Sequence, residues 1–459
     1  MRLAVAPNPT VVSACPAQLA GPSPRPSVIK EGTYVVLDFG QTKPGQANTT
    51  EIACVKNKGR VKVGKKWLDL GPLLGAPFGS AFTISTRGDL ERETEVVVSR
   101  PADVVQQTAK NNAKLVDDGT AQTLGADDIA ALKAEGKGAA LVEALAAGSK
   151  SFASKTEFSQ AKYLKKKAQK YMQRVVARRP TVRTVAECLF SQDPRKVCGI
   201  RVEALSLGLA QAGVAAGARV LVVDGAGGLL TGAVMDRLGG TGEVTACVVT
   251  RRSGALEHVK AFNHPHQSYC SLRSVMLGDL IAVHRRLARE RAEGSAQEAG
   301  DPGPRKVGEK AIVRITESEC ERRLSQGFTS VIVAAPSLNA AELATRVLPM
   351  ARPGTPFAFF NTSAQELGEC LVRATGDRLA TCMGLSETWF REHQVLPLRT
   401  HPHMTHSGTG GFVLHGQTVE AEAGPAPTAG AKRAREEPGG GGDGDGDGEA
   451  QAKKAKASE

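Results

Sequence analysis

The segment ARVLVVDGAGG (218–228) constrains the fold most, because it joins a buried strand directly to a glycine-rich turn. A helical pattern, LLTGAVMDRLGG, follows the turn, and EVTACVVT then repeats the strand pattern. Further strands are predicted at AIVRI, SVIVAAP, PFAFFN and GFVLHG. Strands that alternate with helices are typical of a doubly wound α/β sheet. Residues 183–416 are therefore predicted to form a Rossmann-like α/β domain.

The rest of the chain divides by composition. Residues 29–102 contain short apolar or alternating runs between Gly, Pro and Asn turns, which predict a β-rich, barrel-like domain. Residues 103–182 are predicted to be a helical region, and the charged, proline-bearing stretch 284–310 a mobile insertion. Residues 1–28 are expected to be a disordered leader, with an organelle transit peptide as the alternative. Residues 417–459 are expected to be a disordered, low-complexity tail.

One predicted helix, KTEFSQAKYLKKKAQKYMQRVVARR (155–179), is densely basic and has Glu157 as its only acid. Pro180 ends it, because proline cannot continue a helix. Four of its cations recur every four residues and share a helix face: Lys162, Lys166, Lys170 and Arg174. Like charges at that spacing repel, so such a helix gains most from a polyanion beside it. We expect contacts with RNA phosphates from Lys162, Lys165, Lys166, Lys167, Lys170, Arg174, Arg178 and Arg179. A solvated charged face or a nuclear-import signal is the alternative.

Charge and cysteine usage limit the classes of function. The net charge of +12 over 459 residues favours an anionic partner. Nine cysteines have no CxxC spacing, which argues against a zinc site or a disulfide scaffold and favours a reducing compartment. They are Cys15, Cys54, Cys188, Cys198, Cys247, Cys270, Cys320, Cys370 and Cys382. No run of about eighteen apolar residues is present, so no membrane-spanning helix is expected.

The strand-to-helix turn contains Asp224, Gly225, Gly227 and Gly228. Glycines there allow the backbone to approach a nucleotide-like ligand, as at S-adenosylmethionine and dinucleotide sites. Such a site also needs a carboxylate after the next strand, to accept hydrogen bonds from the ribose hydroxyls. That strand ends in Val249-Thr250-Arg251-Arg252, so a cation stands in place of the acid and the hydroxyls would lack an acceptor. We interpret the turn as a degenerate cofactor loop, which either keeps residual cofactor binding or is only a tight structural turn.

The fourth strand of the predicted sheet lacks another group that catalysis would need, a polar side chain at its end. Methyltransferases that modify a ring nitrogen usually place an Asp, an Asn or a similar group there, to receive the proton or to hold the base. SVIVAAPSLN offers Ala334-Ala335-Pro336 instead, which has no polar side chain. With both groups missing, the sequence predicts a methyltransferase-like fold without catalysis.

Three blocks of the sequence are recognisable together: KTEFSQAKYLKKKAQKY, VVDGAGGLLTGAVMDRLGG and LSETWFREHQVLPLRTHPHMTHSGTGGFVLHG. They resemble the non-catalytic subunit family of the eukaryotic tRNA (adenine-N1-)-methyltransferase. LVDDGTAQTL, DPRKVCGIRVEAL and the β-rich start are similar to the same family. The resemblance covers residues 29–416 without 284–310.

The resemblance implies an α/β fold, with a degenerate class I methyltransferase Rossmann-like domain, an N-terminal β-barrel domain and a helical linker. It implies no catalysis in this chain and a catalytic paralogue as partner, typically in a heterotetramer of two copies of each. The complex of that family methylates N1 of the conserved adenine in the tRNA T-loop. Only the partner is then expected to bind S-adenosylmethionine, so this chain is expected to have no cofactor.

Further tRNA contacts are expected in three segments. Three cations in DPRKVCGIR would extend the basic surface, with a salt-bridged loop as the alternative: Arg195, Lys196 and Arg201. Polar residues before the LVDDG turn would meet ribose or phosphate, with an ordinary polar linker as the alternative: Asn111, Asn112 and Lys114. In RTHPHMTHSGTGG the expected phosphate donors are the Arg399 side chain and the amides of Ser407, Gly408, Gly410 and Gly411.

The histidines of the same segment suggest a metal site, but none is expected. His401, His403, His406 and the later His415 are joined by no Cys, Asp or Glu, and their spacing fits neither a helix nor a zinc knuckle. Trp389 and Phe390 in LSETWF are expected to pack in the core or at a subunit interface.

The sequence thus favours a scaffold subunit that binds tRNA and a catalytic partner. One alternative is an autonomous S-adenosylmethionine-dependent RNA methyltransferase with an atypical pocket. Another is a nuclear RNA-binding or translation-initiation factor. The tail carries AKRAR (431–435) and KKAK (453–456) across a Gly/Asp spacer, which resembles a bipartite nuclear signal and predicts a nuclear location.

Overall fold

The described part of the chain reaches Glu420 and belongs to one compact unit. The computed structural model describes residues 27–41, 48–64, 66–85, 88–93, 123–134, 138–150, 152, 159, 160, 163, 164, 166, 167, 174–249, 254–293, 312–394, 400–404 and 408–420. Three predicted segments lie wholly or partly outside these residues: the leader up to residue 26, residues 294–310 of the insertion, and the tail from residue 421.

The N-terminal sheet is antiparallel and has five strands in the order β2-β1-β7-β5-β6. The strands of this region are β1 (Tyr34–Gln41), β2 (Asn48–Cys54), β3 (Arg60–Val63), β4 (Lys66–Asp69), β5 (Ala81–Ile84), β6 (Leu90–Arg92) and β7 (Arg174–Arg178). Strands β3 and β4 form a separate hairpin. Among the described residues β2 and β6 are edge strands. The strands predicted for this region are therefore present, and their closure into a barrel stays a prediction.

Strand β7 corrects part of the predicted basic helix. The helix predicted for 155–179 is wrong over Arg174–Arg178, which form the central strand of the sheet. Val175 and Ala177 are buried while the residues beside them are not, which is the two-residue alternation of a strand. Helical structure is present at residues 159, 160, 163, 164, 166 and 167. Arg174 therefore shares no helix face with the lysines, and the N-terminal sheet takes a strand from the region predicted to be helical (103–182).

The second sheet has eight strands and confirms the predicted α/β fold. Its order is β11-β10-β9-β8-β12-β13-β17-β14. The strands are β8 (Arg219–Asp224), β9 (Glu243–Val248), β10 (Leu272–Met276), β11 (Val313–Arg314), β12 (Ser330–Ala334), β13 (Pro356–Asn361), β14 (Ala380–Glu387) and β17 (Phe412–Thr418). Strands β8 to β13 are parallel, and β17 runs antiparallel between β13 and β14. The strand order reverses between β8 and β12, the place where open α/β sheets bind ligands. A short pair, β15 (His393–Gln394) and β16 (His401–Pro402), lies apart from this sheet.

The packing of β8 explains why its sequence is apolar throughout. Val220 and Val222 belong to the apolar layer on one face of the sheet, and Leu221 and Val223 belong to the layer on the other face. Strands of parallel sheets are buried on both faces and therefore have near-continuous apolar sequences. The pattern RVLVVD is what this position in the sheet requires.

The helices cover both faces of the second sheet. The helices of the described part are Ala126–Ala134, Gly138–Ala147, Val182–Gln192, Val202–Gln211, Leu229–Leu238, His266–Cys270, Leu277–Ala292, Glu317–Gln326, Ala340–Val347 and Ala364–Gly376. The helix Leu277–Ala292 corrects the predicted insertion, because residues 284–292 continue it. Arg286 on this helix pairs with Glu317 at 3.1 Å and with Glu321, both on the next helix along the chain.

Asn263 joins the N-terminal sheet to the α/β domain. Its side-chain carbonyl accepts from the Tyr34 amide at 2.8 Å, and its side-chain nitrogen donates to the Tyr34 carbonyl at 2.7 Å. Its φ of 52° lies in the left-handed region, which asparagine tolerates better than most residues. Tyr34 and Ile52 also pack against the apolar layer of the second sheet. The domains are therefore connected by polar and apolar contacts together.

Candidate functional site

Asp224 ends β8 and organises the glycine turn that follows it. One oxygen of its buried carboxylate accepts hydrogen bonds from the amides of Ala226 (2.8 Å) and Gly228 (3.3 Å). The other accepts from the Thr231 amide at 2.8 Å and from the Thr231 hydroxyl at 2.7 Å. The carboxylate thus binds donors at the start of the helix Leu229–Leu238, where backbone amides lack helical partners and negative charge is favourable.

Burial dominates the electrostatics around the turn. It raises the pKa of Asp224, because the charged carboxylate loses its hydration, and the hydrogen bonds that it accepts oppose this shift. Burial also raises the pKa of the Cys198 thiol to about 11. It lowers the pKa of His258, whose charged form is the one disfavoured by desolvation. The thiol and the imidazole beside this turn are therefore held mainly in their neutral forms near pH 7.

Two glycines of the turn are covered by the segment after β9. A Cβ at Gly228 would lie 2.8 Å from the carbonyl carbon of Leu256, and one at Gly227 would lie 2.9 Å from the His258 ring. The His258 amide also donates to the Gly227 carbonyl at 3.1 Å. Both glycines have a positive φ, 66° at Gly227 and 97° at Gly228, which other residues rarely adopt. The protein's own packing therefore requires glycine here, and no pattern in residues 254–262 signals this cover from the sequence alone.

Gly225 packs against the end of β12. Its amide donates to the Ala334 carbonyl at 2.8 Å, and a Cβ there would lie 3.2 Å from the Ala335 Cα. The Cys198 thiol donates to the Gly225 carbonyl at 3.1 Å. Ala334 and Ala335 are buried, so the end of this strand offers no polar side chain, as the sequence predicts. The cation predicted in place of the ribose acid lies in residues 250–252, outside the described residues.

The loop before the helix Val202–Gln211 carries three of the predicted RNA contacts. Arg195 is 91% exposed and pairs with Asp193 at 3.1 Å, and this hydrogen bond lowers the pKa of Asp193. Lys196 is exposed. Arg201 is only 14% exposed and pairs with Glu203 at 2.7 Å. The prediction for Arg201 is therefore corrected, because its guanidinium is committed inside the protein, whereas Arg195 and Lys196 stay predicted RNA contacts.

Two of the predicted phosphate donors are used within the protein. The Gly410 amide donates to the Thr388 carbonyl at 2.7 Å, and the Gly411 amide donates to the Thr409 hydroxyl at 3.0 Å. A Cβ at Gly410 would lie 2.2 Å from the same Thr388 oxygen. The predicted donor role of Gly410 and Gly411 is therefore wrong in this structure. Gly408 is exposed and stays a predicted contact.

The arginines of β7 are ion-paired at the surface of the N-terminal sheet. Arg174 pairs with Glu93 at 2.7 Å, and Arg178 pairs with the buried Asp38 at 2.5 Å. Their side chains remain 42% and 49% exposed. Arg179 lies over an aromatic ring, 5.0 Å from its centroid. An RNA contact by these arginines stays a prediction, and they would approach RNA from a sheet and not from a helix.

The lysines before β7 are described only in part. Lys166 is exposed, and the Lys167 ammonium lies 5.2 Å from the centroid of the Tyr163 ring. The predicted contacts outside the described residues are Lys162, Lys165, Lys170, Asn111, Asn112, Lys114, Arg399 and Ser407. Their roles stay predictions.

Exposed apolar side chains lie along β14 and the segments after it. They form what we call the aromatic patch: Leu385, Trp389, Phe390 and Met404, which are 39%, 48%, 61% and 93% exposed. The Phe390 backbone is fixed, since its amide donates to Glu203 at 3.2 Å and its carbonyl accepts from Arg201 at 3.0 Å. Strand β14 is an edge of the eight-stranded sheet. Core packing, one of the two roles expected for Trp389 and Phe390, is therefore excluded.

Metal and disulfide chemistry find no support in the part of the chain that the structure describes. In these ranges no group of three or more His, Cys, Asp or Glu side chains is arranged to hold a metal ion. The eight cysteines of the same ranges are free thiols. No described helix combines the length and the apolar character that a membrane crossing would need.

The close packing of the turn predicts that adding one methyl group at Gly228 strongly lowers the stability of the fold. Gly228→Ala is expected to lower the free energy of unfolding by about 1–3 kcal/mol more than backbone strain alone, because its Cβ would meet backbone atoms that cannot move aside. Gly79→Ala is the matched control, since Gly79 has a φ of 93° but nothing within 4 Å of a Cβ. Urea unfolding of both variants measures the difference. Equal losses would contradict the closed turn.

Comparison with known proteins places the chain in a family. It is 28% identical over 421 residues to the tRNA (adenine(58)-N(1))-methyltransferase non-catalytic subunit of Dictyostelium discoideum, covering 86% of this chain and 80% of that protein. It is 27% identical over 456 residues to the protein of the same name from Mus musculus, covering 86% and 89%. The structure of tRNA (m1A58) methyltransferase TrmI from Aquifex aeolicus is similar with a TM-score of 0.44 and 12% identity, covering 86% and 99%. The Gcd10p family matches residues 28–301, more than half of the sequence, and this chain therefore belongs to the Gcd10p family.

Proposed function

We propose that this chain is the non-catalytic subunit of a tRNA (adenine(58)-N(1))-methyltransferase and that it holds tRNA for methylation by a catalytic partner. Membership of the Gcd10p family and the names of the two relatives support this proposal. The structural observation that carries it is the closed glycine turn. A methyltransferase-like sheet is retained, while the turn at its switch point packs against the chain's own atoms.

S-adenosylmethionine, the cofactor that this fold implies, fits the turn poorly. The amides of Ala226 and Gly228 already donate to Asp224, so they are not available to a ligand. Leu256 and His258 occupy the space beside the turn glycines. We therefore place the cofactor in the catalytic partner, which would supply the methyl group. This chain contributes binding and positioning of the T-loop adenine.

The aromatic patch is the surface that we assign to the catalytic partner. Tryptophan, phenylalanine and methionine are enriched at interface cores, and a few such side chains usually carry most of the binding energy. Arg201 and Glu203 fix the Phe390 backbone before any partner binds, which lowers the entropy lost on association. Because β14 is an edge strand, a partner strand can continue the sheet next to the patch.

A heterotetramer of two copies of each subunit is the assembly that we propose. Transfer RNA is large enough to contact more than one subunit at once. A basic surface on the non-catalytic chain then raises the affinity of the whole complex for tRNA. Each added phosphate contact forms while the same tRNA is already bound to another subunit. The exposed Lys166 of the basic segment and the loop cations Arg195 and Lys196 are suited to this task, since phosphate contacts need charge and not base readout.

Nuclear localisation is part of the proposal. The two basic clusters of the tail lie outside the described residues, and their composition is the support for this role. Replacing Lys432, Arg433 and Arg435 with alanine in a fluorescent full-length fusion is expected to shift the protein from the nucleus to the cytoplasm. The same exchange of Glu436 and Glu437 is the control. Unchanged nuclear signal in both fusions would exclude the cluster 431–435 as a necessary part of the import signal.

The assignment of the aromatic patch predicts loss of the complex when its aromatic side chains are removed. After co-expression with the catalytic subunit, the wild-type complex is expected to methylate a tRNA transcript. Trp389→Ala combined with Phe390→Ala is expected to weaken subunit association by about 30-fold or more, and methylation should fall in parallel. Co-purification yield and methyl incorporation are the measurements.

Val372→Ala is the control for that experiment, because Val372 is an apolar residue that is 70% exposed and belongs to a different element, the helix Ala364–Gly376. It should leave both association and methylation at the wild-type level. A complex of the doubly substituted chain that forms and methylates normally would remove the aromatic patch as the partner surface.

The basic segment predicts a change in the salt dependence of tRNA binding. Lys166→Ala with Lys167→Ala should lower the slope of log affinity against log salt by about one to two, since each lost phosphate contact removes about 0.7–0.9. Arg346→Ala with Arg373→Ala removes the same charge from exposed helices of the α/β domain and should leave the slope unchanged. Binding of the purified complex to tRNA at several salt concentrations provides the slopes. Equal slopes for wild type and the lysine variant would place the RNA surface elsewhere.

A further inference from the structure

The β3–β4 hairpin has two chemically different faces. Val61 packs against the N-terminal core and Leu68 is buried, so one face anchors the hairpin. On the other face Lys62 pairs directly across the strands with Trp67, and Arg60 is the next outward residue along β3. Directly opposed side chains have Cβ atoms about 4.5–5.5 Å apart, so the Lys62 side chain lies beside the indole. The alternation of KGRVKV places Arg60 and Lys62 on one face of β3, and the hairpin register adds Trp67 to that face.

Trp67 is held at the surface by a rigid backbone. Its side chain is 57% exposed, although tryptophan is the largest apolar residue and is usually well covered. Gly88 approaches so closely that a Cβ there would lie 2.1 Å from the Trp67 carbonyl oxygen. The Asp69 amide donates to the Gly88 carbonyl at 3.3 Å, and the Leu70 amide donates to the Gly59 carbonyl at 2.9 Å. An exposed indole on such a fixed support is preorganised for a flat partner.

Four exposed cations belong to the hairpin or to the segment just before it: Lys56, Lys58, Arg60 and Lys62. Among the described residues none of the four forms an ion pair with an acid. Of the nearby acids, Glu31 accepts from the Asn57 amide at 3.2 Å and Asp69 accepts from the Gly71 amide at 3.1 Å. Asp69 is directly opposite Arg60 across the two strands, so its carboxylate offsets part of the positive charge and the cations remain in excess.

We propose that the outward face of the hairpin, with Arg60, Lys62 and Trp67, forms a separate RNA contact together with Lys56 and Lys58 just before β3. Trp67 stacks on an unpaired base, and the four cations bind the phosphates next to that base. Aromatic side chains between cations suit looped or single-stranded RNA, because every base offers a face for stacking and every linkage offers a negative charge. An acidic protein segment would satisfy the cations but would leave the indole without a planar partner. The inference rests on the proposed function, in that the RNA is the tRNA that the complex binds.

The indole and the cations make distinguishable contributions to RNA binding. Trp67→Ala in the purified complex should weaken binding to a tRNA transcript about 5- to 150-fold, the range for one base–aromatic stack. The slope against salt should not change, because no charge is removed. Trp67→Phe keeps an aromatic face and should restore most of the affinity. Arg60→Ala with Lys62→Ala should instead lower the salt slope by about 1.4–1.8.

Two controls separate an RNA contact from damage to the fold. Thermal unfolding of Trp67→Ala should match the wild type closely, since the replaced side chain is mostly in solvent. Arg346→Ala should leave both affinity and salt slope unchanged. Wild-type affinity and slope in all hairpin variants would overturn the proposal. Intact RNA binding with loss of the catalytic subunit would also overturn it, and would assign this face to a protein.

Failure of the hairpin inference differs from failure of the proposed function. If only the hairpin is misassigned, the complex with substituted hairpin still binds and methylates tRNA like the wild type. If the proposed function is wrong, the unsubstituted complex itself neither binds nor methylates the transcript.

Discussion

The four hydrogen bonds to the Asp224 carboxylate hold the centre of the eight-stranded sheet in its observed form. They fix the turn between β8 and the following helix, and with it the positions of the glycines that Leu256 and His258 cover. In a working cofactor turn the corresponding amides and glycine faces are left for a ligand. Here they stabilise the fold instead. The same arrangement is therefore consistent with the proposed non-catalytic role of the α/β domain.

With the turn closed, the surface becomes the functional part of the molecule. The aromatic patch lies on β14 and the segments after it, Lys166 precedes β7, and the Trp67 face belongs to the β3–β4 hairpin. The first and the last of these surfaces rest on elements that pack against a hydrophobic core. Separate supports allow a chain to bind protein and RNA at once, with each contact adding to the affinity of the assembly.

The α/β sheet could be predicted from the sequence because strands buried on both faces are continuously apolar. The lack of a polar side chain at the end of β12 could also be predicted, because alanine has none to offer. The prediction of a basic helix was wrong at Arg174–Arg178. This short segment directly follows lysine-rich residues with strong helical periodicity, which hides its own alternating pattern RVVAR. Only pairing with β1 and β5, far away in sequence, decides in favour of a strand. The inward direction of Arg201 and the internal use of the Gly410 amide depend on Glu203 and Thr388, and such tertiary partners leave no local signal.

The central claim is that this chain keeps a methyltransferase sheet whose cofactor turn is closed. Calorimetric titration of S-adenosylmethionine into the purified complex with the catalytic subunit tests it most directly, because both chains are folded and only the number of sites is in question. A stoichiometry of one cofactor per pair of chains is the expected result. Two cofactors per pair would mean that the turn at Asp224 opens to a ligand, and would contradict the account.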